Sequence, residues 1–318
     1  MDSTLHQQQD YKEIKKKCLE RGVLFEDTCF SSFILENREC LLRRPKKICE
    51  TPSFMPENIS RCDIKQGYLR DCWFIAALSS LAEHPELLER VAPKNQNFKV
   101  GNYAGIFRFR FCQSGIWTEV VVDDRLLMEG DELKFARSIR RTDFWLALLE
   151  EAYAKFHGSY GSLNEGEITQ AFKELTGGAV IELRVRESEN LFRIISESIK
   201  NGSLITASII DDDNQADIET LGLINRHAYT ITGAIVTTYI QASLLRIKNP
   251  LSNVIWNGSW SKESAERLIE LDLEECQFGE SWISEMDFKK YFTFVYICDV
   301  RQSYVSDDNY NFENNFKN

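Results

Sequence analysis

A run of small and polar residues, GSYGSLNEG at 158–166, separates two halves whose apolar spacings differ. Ahead of it the spacing is mostly helical. Behind Cys72, the residues Phe74, Ile75, Leu78 and Leu81 fall on one side of a helix, and Pro85 suits the first turn of the next, PELLERV. TDFWLALLEEAYAKFHG (142–158) predicts a further helix stopped by Gly158. One hairpin interrupts this half. Phe107, Phe109 and Phe111 alternate with Arg108 and Arg110, QSG turns, and IWTEVVVDD returns. Past the boundary strands prevail: SLITASII, HAYTITGAIV, ASLLRIKNP and VIWNGSW, beside the helices ITQAFKELTGG and ESENLFRIISESIKNGSL. SWISEMDFKKYFTFVYICDV reads as a helical turn and then a strand, and DDDNQADIETLG (211–222) as a polar loop. The pattern predicts an α+β chain with a helix-rich first lobe (29–166) and an antiparallel β-rich second lobe (167–300). A helical lead-in (1–28), stopped at Gly22, precedes them, and a disordered polar tail (301–318) follows. RRPKK (43–47) reads as a solvated basic connector.

The 318 residues, 43% of them hydrophobic, are enough for two real cores. A net charge of −11 argues against nucleic-acid partners, because an acidic surface repels phosphate. The opening, MDSTLHQQQDYKEIKKK, has no apolar stretch of the kind a secretory signal needs, and no apolar run approaches the length of a membrane span. Nine irregularly spaced cysteines without a CxxC pair predict reduced thiols, a cytoplasmic location and no structural zinc.

Cys72 stands where a helix begins, in QGYLRDCWF. The attacking species of a cysteine nucleophile is its thiolate, which a helix N-terminus and a nearby imidazole both favour. Four histidines are available. His6 lies in the polar lead-in, His84 between helices and His157 at a helix end. His227 opens a regular strand that can present it to a cleft, so it is the candidate base. Asn249 ends the next strand, where it can orient the His227 ring. The Cys72 backbone N–H and the Gln66 amide are candidate donors to an oxyanion.

DIKQGYLRDCW, YAGIFRFRF, VVVDDRL, FWLALLEEAYAKFHGSY, LTGG, HAYTITGA, IKNP and WNGSW, in this order over roughly 24–300, resemble the protease core of the calpain family. The resemblance implies a papain-like cysteine protease fold in two subdomains, with Cys72 in the first and His227 and Asn249 in the second. It also implies Gln66 at the oxyanion hole. It implies calcium-dependent limited cleavage of intracellular, possible cytoskeletal or signalling, protein substrates, and inhibitor or regulatory-subunit partners. For calcium in the first subdomain it implies Asp63 and Asp143, with backbone carbonyls near Pro56 and Asn58. Arg61 would pair with Glu280 of the second subdomain, and the loop at 211–222 would lie beside the cleft.

Three features depart from the family pattern. Arg70 replaces a glycine ahead of the DCW motif. Leu251 replaces a tryptophan that shields the His–Asn bond, a duty that Trp256 or Trp260 would have to take over. Ile255, Lys262 and Phe278 replace carboxylates of a second calcium site, which is therefore expected to be weak or lost. They keep open a non-catalytic, calpain-like regulatory or scaffold role. A transglutaminase-type acyl transferase is a third reading, against which Asn249 and the motifs argue.

Overall fold

The computed structural model describes residues 9–30, 41–210, 215–251, 255–269 and 273–300. The polar tail from 301 and the acidic residues 211–214 lie outside these. The chain forms two compact units that divide after residue 167, except that 174–176 belong with the first.

The first unit is built on two buried helices and a hairpin. In Cys72–Leu81 every residue from Trp73 to Leu81 is buried. The run lacks the β-branched pairs that disfavour helix, and the Asp71 carbonyl accepts the N–H groups of Phe74 and Ile75 at 2.9 and 3.0 Å. Pro85 starts the next helix, Pro85–Val91. Helix Trp145–Phe156 is buried throughout, including Glu150, Glu151 and Lys155. The hairpin pairs Ile106–Gln113 with Ile116–Asp123 without a break in register. Its turn holds Ser114 and Gly115 at φ 51° and 82°, the left-handed pair that suits a two-residue connection. Phe107, Phe109 and Phe111 point into the core, as their alternation predicts.

The lead-in helix spans Tyr11–Arg21, with Asp10 capping Glu13 N–H at its start and Gly22 at its end. It is part of this unit: Tyr11 and Cys18 pack with Ala104, Ile106 and Val121. RRPKK is not a solvated connector. Leu41–Arg43 pairs antiparallel with 126–128, and Pro45–Ile48 is a helical turn. The Arg44 guanidinium pairs with the fully buried Asp124 carboxylate and donates to Phe25 O at 2.9 Å.

The second unit is a six-stranded antiparallel sheet in the order Glu280–Ser284, Ser243–Lys248, His227–Val236, Leu204–Ile209, Phe294–Asp299, Ala179–Arg184. Helices Leu191–Lys200 and Glu285–Tyr291 give Leu191, Ile195, Phe288 and Tyr291 to its core.

Local expectation fails at three places here. Residues 255–260 of VIWNGSW are not a strand: Trp256 Nε1 donates to Ser259 O at 2.7 Å, and Asn257 N–H reaches Leu221 O at 3.0 Å, so they fold onto themselves and onto a neighbouring turn. SWIS belongs to a strand rather than a helical turn, with Trp282 opposite Arg246. Residues 215–220 of the expected polar loop form a helix.

Candidate active site

Cys72, in the first unit, is half-buried at the first position of its helix and is a free thiol. The loop ahead of it is held tightly. Tyr68 N–H donates to Lys134 O at 3.0 Å. A Cβ on Gly67 would lie 2.1 Å from the Phe135 carbonyl carbon, so only glycine fits there. Arg70 is exposed, and its N–H donates to Asn164 Oδ1 at 3.1 Å. Trp73 Nε1 donates to Leu163 O at 3.0 Å.

Asp71 does not cap the helix with its side chain. It turns inward instead, where Gln66 Nε2 donates to Asp71 Oδ1 at 3.2 Å and to Leu69 O at 2.8 Å. Both donors of the Gln66 amide therefore serve its own loop, so an oxyanion could take one only in exchange for a bond already made.

Behind Asp71 lies Glu150, a residue that the sequence reading passed over. Both carboxyls are fully buried, and Asp71 Oδ2 and Glu150 Oε1 have no other partner. One proton satisfies both atoms. Burial raises the Asp71 carboxyl to about 6, against the pull of its hydrogen bonds with Glu150, its own backbone and Gln66. Burial, and then the charge and hydrogen bond of Asp71, push Glu150 well above the usual carboxylate range. The proton thus sits on Glu150, which donates to Asp71. The outward sign in the sequence is that WLALLEEAYAKF, an apolar helix, carries the acids Glu150 and Glu151 beside Lys155.

A raised folded-state value has a defined consequence. The stability it contributes is full below the ordinary carboxylate range and is lost as pH rises through about 6 and beyond. Glu150→Gln keeps the acceptor that holds Ala136 N–H at 2.8 Å and supplies a permanent donor to Asp71. Urea unfolding at pH 5 and pH 8 should show wild type losing stability between these values and the variant losing less.

The second unit brings His227 and Asn249 together. The strands His227–Val236 and Ser243–Lys248 pair antiparallel, with Thr230 opposite Lys248, so the start of one lies by the end of the other. Asn249 N–H donates to Gly279 O at 3.0 Å, which fixes the backbone just past the strand. His227 Nε2 lies 2.8 Å from Asn249 Oδ1, and Leu251 N–H donates to the same oxygen at 3.0 Å. An oxygen that already receives one N–H is an acceptor, so Nε2 carries the ring proton and Nδ1 holds the lone pair. Burial lowers the His227 pKa to about 4, with Asn249 pulling the other way, and the ring is a neutral base near pH 7.

Shielding comes from burial, with His227 6% and Asn249 2% exposed. The His227 ring meets Tyr229 edge-on at 5.2 Å. Neither tryptophan offered as a substitute does that work in the described contacts. Trp256 meets Tyr291 at a tilt, with ring centroids 5.8 Å apart, and Trp260 packs with Leu244, Leu273 and Trp282.

Arg61 and Glu280 each have a partner within their own unit. Arg61 Nη1 pairs with Glu83 at 2.9 Å, while Glu280 accepts Gln277 N–H at 3.1 Å and faces Arg246 at 3.8 Å.

The two expected calcium positions differ in their fit. In the first unit Asp143 is 5% exposed and its Oδ2 is buried without a hydrogen-bond partner. Asp63 and the Asn58 carbonyl are joined through one residue, Arg140, whose Nη2 lies within 3.5 Å of both. Two carboxylates and a carbonyl are a hard-oxygen set that suits calcium. In the second unit Ile255, Lys262 and Phe278 line a cavity of about 500 Å³ with Arg267, Glu275 and Glu280. Lys262 and Arg267 offset the charge of the two glutamates, and Ile255 and Phe278 offer no oxygen, so this set fits a divalent cation poorly. Among the described residues no group of three or more His, Cys, Asp or Glu side chains is arranged to hold a metal.

A buried, oriented imidazole and a cysteine at a helix start are parts that a thiol hydrolase uses. A profile of the "Calpain family cysteine protease" matches residues 29–299. The chain is 38% identical to the calpain-2 catalytic subunit of Bos taurus over 95% of its own length and 46% of that protein's. Calpain-9 of Mus musculus is 39% identical over 96% of the chain and 47% of its own length. Calpain-A of Drosophila melanogaster is 40% identical over 95% of the chain and 39% of its own length. The chain thus spans less than half the length of these relatives. With the α+β architecture and the profile covering both units, the chain belongs to the calpain family of cysteine proteases.

Proposed function

We propose that this chain is a cysteine endopeptidase that makes limited cuts in protein substrates. The observation that carries the proposal is the His227–Asn249 pair, whose 2.8 Å bond leaves Nδ1 as the basic nitrogen. In this reading His227 Nδ1 takes the Cys72 proton, and the thiolate attacks the scissile carbonyl. The imidazolium then gives that proton to the leaving amine, and water releases the acyl group from sulfur by the reverse sequence. Asn249 holds the ring. The Cys72 N–H and the Gln66 amide receive the oxyanion, which requires Gln66 to exchange its bond to Asp71 or Leu69.

Calcium would be held by Asp63, Asp143 and the Asn58 carbonyl, where its charge would tie the 58–63 segment to the turn at 140–143. The residues of the second unit argue for no equivalent site. Exposed, extended protein segments are the proposed substrates. A regulatory subunit or protein inhibitor is the proposed partner; one relative is named a catalytic subunit. A cytoplasmic location is supported by the free thiols of all eight described cysteines. Among the described residues no helix is long and apolar enough to cross a membrane.

The engaged Gln66 amide favours a second reading, a calpain-like binding protein without turnover. Cleavage of an unfolded protein by the purified chain, compared with Cys72→Ala, separates the two.

A further inference from the structure

The feature of the first unit left unexplained is Arg140. Its backbone begins a turn in which Asp143 N–H donates to Arg140 O at 3.1 Å. The framework around it is set by backbone bonds: Ile139 N–H to Asp63 O at 2.9 Å, Ser53 N–H to Thr142 O at 2.8 Å and Phe144 N–H to Ser53 O at 3.0 Å. Strand Ile64–Lys65 pairs with Arg137–Ser138 on the same frame. These backbone bonds set the 58–63 segment beside the 140–143 turn.

Into this frame Arg140 places a guanidinium. Nε lies 3.4 Å from Asp63 Oδ1, while Nη2 lies 3.5 Å from Asp63 Oδ2 and 3.4 Å from Asn58 O. Asp143 Oδ2 is buried beside this frame without a hydrogen-bond partner.

The seat is a loose one. Charge-assisted N–H···O bonds are usually about 2.7–2.9 Å long, and these are longer. The Arg140 side chain is 47% exposed and so has room to leave. A guanidinium and calcium cannot share these oxygens, because calcium needs them at about 2.3–2.6 Å and like charges repel.

We propose that Arg140 is a tethered cation that competes with calcium for Asp63 and the Asn58 carbonyl, so that calcium binds this unit only by displacing it. The inference rests on the calcium reading of this position, and the protease reading does not depend on it. A guanidinium held this loosely weakens the apparent calcium affinity about two- to sixfold.

Calorimetric titration of calcium into the Cys72→Ala chain, which removes self-digestion, tests this with Arg140→Ala, Asp63→Asn and the double variant. Circular dichroism checks that each is folded. Arg140→Ala should bind calcium about two- to sixfold more tightly than its parent, and Asp63→Asn should abolish that gain. Should the parent bind calcium through Asp63 while Arg140→Ala binds no tighter, the site stands and the role of Arg140 is overturned. Should neither bind, the calcium site itself is refuted, and the proposal with it.

Discussion

His227→Ala is expected to lower kcat/KM for an unfolded protein substrate by about 10⁴-fold or more, the scale of losing a general base that also sustains its nucleophile. No other described residue offers the same combination of a buried imidazole, a fixed tautomer and a basic Nδ1. Asn249→Ala keeps the base but loses the acceptor that fixes Nε2–H, and the ring can then turn or take the other tautomer. Its expected cost is smaller, about 10²-fold. Asn249→Asp is informative too. It keeps the acceptor geometry toward His227 and Leu251 but places a charge beside a ring now held near pKa 4, so the ring's pKa should rise. If His227→Ala leaves cleavage within tenfold of wild type while the chain stays folded, another group is the base.

Lys155→Met should produce the largest loss of stability, about 3–5 kcal/mol, because it leaves a buried charge alone. Lys155 lies in the wholly buried helix Trp145–Phe156, with its side chain 1% exposed. Its ammonium pairs with the Asp27 carboxylate, which is 3% exposed, and donates to Gln9 Oε1 and Val121 O at 2.6 Å each. Without it the Asp27 carboxylate keeps only Cys29 N–H at 3.1 Å and a long contact to Gln9 Nε2 at 3.4 Å. Asp27→Asn in the Lys155→Met background removes the stranded charge and should recover part of the loss. Urea unfolding of both variants checks this. A single variant within 1 kcal/mol of wild type would show that the pair is not the anchor of the 26–30 segment.

The elements legible in the sequence were those whose pattern is local. The hairpin at 106–123 follows from alternation and a turn glycine, and helix Cys72–Leu81 from one apolar face. The start of one strand and the end of its neighbour brought His227 to Asn249 because antiparallel pairing makes that meeting obligatory. Readings failed where a distant partner decides. Arg44 looked like solvated charge until Asp124, 80 residues on, accepted it. Glu280–Ser284 is a strand because it pairs along Ser243–Lys248, and residues 255–260 are not one because the Trp256 indole and Asn257 backbone bond elsewhere. Within the site, Cys72 was legible from its place at a helix start. The Gln66 bonds, the proton shared by Asp71 and Glu150, and the guanidinium over Asp63 were not, because each depends on where a side chain turns once the backbone is set.

The measurement that tests the central claim most directly is cleavage of an unfolded protein by the purified chain, with and without calcium, beside Cys72→Ala. Cleavage by wild type that falls by about 10⁴-fold or more in the variant is the predicted result. No cleavage by the folded wild type at saturating calcium, or equal cleavage by Cys72→Ala, would contradict the assignment of Cys72 as the nucleophile of a working protease.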